Sequence, residues 1–182
     1  MKEEIIQNLK KIKKACRKLV QLSDNDVKSI LNEVADMALE NEAYILSENK
    51  KDLDRMDVEN PKYDRLLLDS ERLQSITDDL RNVGNLESPL GKVLDKNTLE
   101  NGIELSRVSV SLGTIGIIFE SRPNVTFDVF ALCLKSGNAC VLKGSRDAKD
   151  SNIAIVDIIK QVLKKYGLED ACYLAPAERE AL

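Results

Sequence analysis

Histidine is absent from all 182 residues. That removes the commonest general base and leaves any catalysis to Cys, Asp, Glu, Lys or Tyr. Cysteine is sparse: Cys16, Cys133, Cys140 and Cys172 stand far apart, with no CxxC pair. Neither a structural zinc site nor a disulfide scaffold is expected, no metal is called for, and a reducing cytoplasm fits. No apolar run approaches the roughly eighteen residues of a membrane span. The start, MKEEIIQNLKK, carries acids and then bases where a signal peptide carries an apolar core. Positive charge is not in excess either. Lys and Arg number 27 against 31 Asp and Glu, a net charge of -4, which argues against a general nucleic-acid binder.

What is present is organised around residues 112–144, LGTIGIIFESRPNVTFDVFALCLKSGNACVLKG. Thr114 to Phe119 is an apolar run suited to a buried parallel strand. A polar turn, Glu120-Ser121-Arg122-Pro123-Asn124, follows. Phe127 to Lys135 is amphipathic, Gly137-Asn138 is a stop, and Ala139 to Leu142 is a second buried run. Strand, crossover helix and strand make the βαβ unit of an open α/β sheet. Ligands of such sheets sit at the carboxyl ends of the strands. Here those ends are 120–124 and Lys143-Gly144-Ser145-Arg146.

The first 83 residues read as helices. Ile5, Leu9, Ile12, Cys16 and Leu19 form one stripe. Ser23 with Asp26 is a capping-box pattern ahead of Val27, Ile30, Val34 and Ala38. A third helix is expected over about 41–56, a short turn near Leu66, and a fourth capped by Asp69 or Ser70 with Gly84 as its left-handed stop. Residues 92–95 and 103–110 read as two strands joined through Asn101-Gly102; such a ribbon is marginal alone and must pack on something. A last helix begins at Asp150 or Ser151 and ends at Gly167, a short strand covers 171–174, and 176–182 looks like the first turn of a further helix. About three parallel strands result, fewer than such sheets usually have, so the chain is expected to be the amino-terminal part of something larger. Gly113-x-x-Gly116 is not a dinucleotide fingerprint, because its glycines precede or lie inside the strand. Packing of strand backbone on the ribbon is the expected reason for them.

The chain resembles the gamma-glutamyl phosphate reductases (glutamate-5-semialdehyde dehydrogenases) of the aldehyde dehydrogenase superfamily. The likeness is most specific in residues 111–116 (SLGTIG), 120–126 (ESRPNVT) and 132–138 (LCLKSGN). It implies an aldehyde-dehydrogenase-like α/β fold with amino-terminal helices, a β ribbon and an incomplete open, Rossmann-like parallel sheet. The expected divisions are a helical part of the cofactor domain over 1–90, an oligomerisation ribbon over 91–111 and the start of an NADP-binding domain over 112–182. It also implies reduction of L-glutamyl 5-phosphate to the semialdehyde by NADPH with release of phosphate, in proline synthesis. A homo-oligomer built through the ribbon, and glutamate 5-kinase as a channelling partner, come with that resemblance. The family's catalytic cysteine lies beyond the equivalent of Leu182, so the chain alone is expected to be inactive. A CoA-dependent acylating aldehyde dehydrogenase and a non-catalytic assembly module are the alternatives.

By the same resemblance Asn124 takes the place of the superfamily asparagine that donates to the oxyanion of the thiohemiacetal. A donor on a proline-stiffened loop suits that task, while the bland alternative is a cap on a helix starting near Thr126. Arg122 suits a phosphate or carboxylate, or an ion pair with Glu120. Lys143 resembles the lysine that touches the adenosine ribose; otherwise its ammonium would reach solvent. Gly144 would let a cofactor approach the backbone or would make a turn, and Ser145 completes that turn. Arg146 stands three residues after Lys143, where NAD-preferring members carry a glutamate, and a guanidinium there suits a 2'-phosphate. Its alternative partners are Asp147 and Asp150.

Overall fold

The computed structural model describes residues 2–178; the first amino-terminal helix packs on the strands of the parallel sheet, and the later ones pack on the helices that connect those strands. Helix α1 (Lys2–Leu19) buries Ile12, Ala15 and Leu19, whereas Ile6 and Leu9 at its start stay exposed. Helix α2 (Asp24–Glu40) begins in the expected reciprocal box, Ser23 Oγ accepting from Asp26 N and the Asp26 carboxylate from Ser23 N. The Ser23 hydroxyl, donating to Asp26 Oδ2 at 2.6 Å, and then the Ser23 amide hold the Asp26 carboxyl below its ordinary value. Helices α3 (Glu42–Leu53) and α4 (Tyr63–Leu66) follow. Helix α5 (Ser70–Asn85) is capped by Asp69, whose side chain accepts from Arg72 N.

Gly84 is not the expected stop. It lies within α5, where a Cβ would stand 3.7 Å from Leu31 Cβ and from Lys28 Cα of α2. Those are ordinary contact distances, so the packing against α2 would admit a Cβ and does not by itself require glycine. The Gly84 carbonyl accepts from Lys135 Nζ at 3.1 Å, and the same ammonium pairs with Asp24 at 2.6 Å. One buried lysine so joins α6, α2 and α5 and satisfies its charge, as a buried cation must.

Strands β1 (Val93–Thr98) and β2 (Glu104–Val108) form an antiparallel ribbon, every residue of which is exposed. The parallel sheet is β3 (Thr114–Ile118), β4 (Ala139–Lys143) and β5 (Cys172–Leu174), in the order β3-β4-β5. Helix α6 (Asn124–Lys135) connects β3 to β4, and α7 (Lys149–Lys165) connects β4 to β5. Gly137 and Gly167 adopt the left-handed stops expected of them, at φ +67° and +65°. The core joins Phe127, Phe130 and Leu134 of α6, Ile155 and Ile159 of α7, Leu142 of β4, and the inner faces of α2 and α5.

Strand β3 departs from expectation. It is an edge strand and only half-buried, with Ile118 70% exposed. An apolar run identifies a strand, but which faces are covered depends on elements distant in sequence. Nor do Gly113 and Gly116 pack on the ribbon, since a Cβ at either meets nothing within 4 Å. Gly113 is instead required by its φ of +100°, and its N–H is held by Asn138 Oδ1 at 2.8 Å. Residues 176–178 are not helical; the remainder of the helical turn expected over 176–182 lies outside the described residues. No described helix is long and apolar enough to cross a membrane.

Candidate functional site

The two strand ends adjoin. The turn after β3 places Ser121, 2% exposed and with φ +38°, against the turn after β4. Ser121 N donates to Ser145 Oγ at 3.1 Å and Ser121 Oγ to Asp147 Oδ2 at 2.7 Å. A non-glycine residue in that backbone region is strained and persists only where its surroundings hold it. These two hydrogen bonds supply that hold.

Asn124 is the first residue of α6, with Pro123 before it. Proline fits the start of a helix because its missing N–H has no intrahelical partner there. The cap position is thus taken and no side-chain cap exists, so the expected alternative for Asn124 is not realised. Its Nδ2 donates instead to Asp128 Oδ2 at 3.2 Å. Asn124, Arg122 and Asp128 line a recess of about 370 Å³ closed on its other side by α5. Arg122 is exposed and does not pair with Glu120, which lies 3.8 Å from Lys62. Burial first, and then the charge of Asp79, hold the Asp128 carboxyl above its ordinary value, with Asn124 opposing.

The turn after β4 divides its residues among different surroundings. Lys143 does not reach solvent: it is 7% exposed and donates to the carbonyls of Pro176 and, at 2.6 Å, Glu178. Burial lowers its pKa, Glu178 opposes that shift and Arg146 adds to it. Gly144 and Ser145 line a cleft of about 310 Å³ with Lys149, Asn152, Tyr173 and Pro176. Gly144 is glycine for an internal reason, since a Cβ would stand 2.2 Å from Asn152 Nδ2. Asn152 is itself fixed through Oδ1, which accepts from Thr126 Oγ1 at 2.8 Å. Arg146 points away from that cleft into a neighbouring recess of about 390 Å³ with Arg55, Asp57, Asn60 and Lys62. Neither expected alternative partner holds it: Asp150 pairs with Arg55 at 2.7 Å, and Asp147 lies 3.7 Å from Lys62.

Behind this turn Asp52 caps α7 from a different helix. Its carboxylate accepts from Asp150 N at 3.1 Å, Ser151 N at 2.8 Å and Ser151 Oγ at 2.6 Å, and Arg55 pairs with it. Burial nonetheless holds the Asp52 carboxyl above its ordinary value against those donors. Asn49 completes the arrangement by donating to Leu66 O and Ser151 Oγ and accepting from Leu68 N. None of the four cysteines is placed as a nucleophile. Cys133, Cys140 and Cys172 are buried, and Cys16 is half-buried with its thiol on Lys13 O. The neighbouring thiols of Cys133 and Cys172, together with burial, push Cys140 well up, away from the thiolate a nucleophile requires.

Sequence reasoning missed Ser121, Asp128, Lys149 and Asn152. Asp128 carries a readable signal, four residues after Asn124 on one helix face. Asn152 carries none, because its importance rests on Gly144 and Thr126.

No family model matches the chain. A gamma-glutamyl phosphate reductase of Chlorobium phaeobacteroides is 57% identical over all 182 residues, which span 44% of that protein. One from Bacteroides fragilis is 55% identical over 171 residues, 93% of this chain and 41% of the relative. The crystal structure of gamma-glutamyl phosphate reductase from Thermotoga maritima superposes with a TM-score of 0.92 at 33% identity, covering 97% of this chain and 44% of that one. This chain is a homologue of the gamma-glutamyl phosphate reductases. It spans less than half the length of the curated relatives it matches. An acetylating aldehyde dehydrogenase from Geobacillus thermoglucosidasius, 14% identical with a TM-score of 0.66, shows the shared aldehyde-dehydrogenase-like fold and nothing finer.

Proposed function

We propose that this chain is the amino-terminal, cofactor-binding part of a cytoplasmic NADPH-dependent reductase. Its substrate is L-glutamyl 5-phosphate, and it releases phosphate and L-glutamate 5-semialdehyde in proline biosynthesis. The observation that carries this reading is the match of the whole chain, at 57% identity, to a protein named for that activity. The geometry supports it. Asn124 sits at a strand end in an open recess, fixed by Asp128 through one N–H and with the other free for an oxyanion. The nucleophilic cysteine and most substrate contacts belong to sequence outside these 182 residues. The exposed ribbon serves a homo-oligomer, and glutamate 5-kinase is the proposed supplier of the labile acyl phosphate.

The residues at the end of β4 fit a phosphorylated cofactor. Their cleft has an apolar wall of Ile153, Leu174 and Ala175 and the cation of Lys149, while Ser145 adds a hydroxyl. Lys143 has committed two of its three donors to backbone carbonyls, which leaves one for a ribose hydroxyl. Arg146 is exposed in the neighbouring recess, where Lys62 and Arg55 stand with Asp52, Asp57 and Asp147; its guanidinium is the group proposed to turn to a 2'-phosphate. When bound, the nicotinamide supplies the hydride. Arg146→Glu in the full-length enzyme is the test, with kcat/KM measured for NADPH and NADH. The ratio is expected to fall about tenfold, the scale of one charge-assisted contact, mostly through NADPH. An unmoved ratio refutes phosphate reading by Arg146, and absence of glutamyl phosphate turnover in the unmodified enzyme refutes the function.

A further inference from the structure

Among the described residues Ser121 is the one non-glycine at positive φ, +38°, and it directly precedes Arg122. Glycine is what that backbone region favours, and a serine there is sterically disfavoured. Its presence points to a use for the side chain. The hydroxyl, in a residue 2% exposed, donates to Asp147 Oδ2 at 2.7 Å, and the amide donates to Ser145 Oγ at 3.1 Å. Both partners belong to the turn after β4, so the hydroxyl fastens one strand-end turn to the other. The same junction continues outward. Lys62 Nζ stands 3.7 Å from Asp147 and 3.8 Å from Glu120, between the two turns.

Burial alternates along this turn. Ser121 and Pro123 are buried, and Arg122 between them is exposed. The backbone of Arg122 is therefore fixed on both sides, by the latched serine before it and by the proline that opens α6 after it. That sets the direction in which Arg122 leaves the chain, toward the recess that it lines with Asn124. Arg72, on the same recess, is spent on Asp64 at 2.6 Å, whereas Arg122 pairs with no carboxylate among the described residues. Asn124 is held a second time by α6 and by Asp128; Arg122 has no such second hold. A free arginine loses much rotamer freedom when it binds an anion, so a fixed starting direction favours binding. We infer that Ser121 is a positioning residue whose hydroxyl, latched to Asp147, aims Arg122 into the recess to take an anionic group of the substrate. The inference rests on the reductase function proposed above and adds to it the residue that directs its anion-binding arm.

The test is a double-mutant cycle in the full-length enzyme, run in the oxidative direction with L-glutamate 5-semialdehyde, phosphate and NADP+. Ser121→Gly removes the hydroxyl and the steric conflict together, so the melting temperature is expected to hold. NADPH affinity, read by fluorescence titration without substrate, is expected to stay within about twofold. The KM that Arg122→Ala itself raises, for phosphate or for the semialdehyde, is expected to rise about tenfold in Ser121→Gly. In the Arg122→Ala enzyme the same change should alter it less than about twofold, because the arm that it aims is gone. Asp147→Asn keeps an oxygen to accept from Ser121 and should retain the native KM, whereas Asp147→Ala should raise it as Ser121→Gly does. Equal losses with and without Arg122, or a lowered melting temperature with unaltered KM, would show that Ser121 serves the fold alone. Either result overturns the inference, as does an unaltered KM in Ser121→Gly or in Arg122→Ala. If Ser121→Gly does not fold, or Arg122→Ala is too slow to assay, the contrast between Asp147→Ala and Asp147→Asn decides. An unmodified enzyme that oxidises no semialdehyde would instead remove the reductase reading and this inference with it.

Discussion

The two strand ends of this sheet are built in opposite ways. After β4, nearly every polar group is tied to another part of the chain. Lys143 binds two carbonyls, Asn152 binds Thr126 and excludes a side chain at Gly144, and Asp52 caps α7 from another helix. After β3, Arg122 pairs with no carboxylate among the described residues, and Asp128 has one neutral partner there. Buried polar groups left unmatched are costly, so a fold keeps them matched where stability is at stake. Where groups stay open and half-solvated, the cost is small and the chemistry remains available to a ligand. The first end is therefore built chiefly as scaffold, with Ser145, Lys149 and Arg146 at its rim, and the second leaves its groups open to the proposed ligand.

If that division holds, substitutions should separate activity from stability. The largest effect is expected from Asn124→Ala in the full-length enzyme. Loss of the proposed oxyanion donor should raise the barrier by about 3 kcal/mol and so lower kcat on the order of a hundredfold. The melting temperature and NADPH affinity should hold, because Asn124 caps nothing. Steady-state rates with a cofactor titration check this, and an unchanged kcat would move Asn124 to the scaffold side. Asp52→Ala is expected to do the reverse. It strips the α7 amino end of its acceptor and should cost about 2 kcal/mol in denaturant unfolding, with KM for both substrates unaltered in the folded fraction. A stable Asp52→Ala enzyme with impaired binding would erase the distinction.

The smallest expected effect lies away from both ends. Tyr166 donates to Glu33, which pushes the phenol up to about 12. Tyr166→Phe should cost less than about 1 kcal/mol. A phenol with a folded pKa above its unfolded value of about 10 contributes stability in full below pH 10 and loses it as pH rises through about 12. The gap in melting temperature between the two proteins should therefore close over that interval. On the acid side the Glu33 carboxyl, held low by Tyr166 and then Lys165, contributes above its unfolded pKa and loses that contribution as pH falls through the folded one. A gap independent of pH would assign the role of Tyr166 to packing.

What could be read from the sequence is what is local. The Ser23–Asp26 box, the stripes of α2 and α5, and the stops at Gly137 and Gly167 each depend on residues a few positions apart, and each is present. The long-range readings fared differently. Gly84 has the look of a helix stop, yet it lies inside α5 against the flank of α2. Gly144 could be assigned to a turn or to a ligand, but the amide that requires it arrives from α7. Asp52 and Ser151 are 99 residues apart, a distance over which no periodic pattern operates. Asn124 was legible as a position, and its neighbour Asp128 was overlooked because an acid on a helix face ordinarily needs no explanation.

Strand β3 has a practical corollary for solution behaviour. One of its edges pairs with β4 and the other, among the described residues, has no strand beside it and is flanked by the apolar surface of Ile118 and Leu112. Such an edge is a template for any extended chain that reaches it. A net charge of -4 spread over the surface does little against contacts that are local and directional. The solubility of these residues is thus governed less by overall charge than by whether β3 has a neighbour.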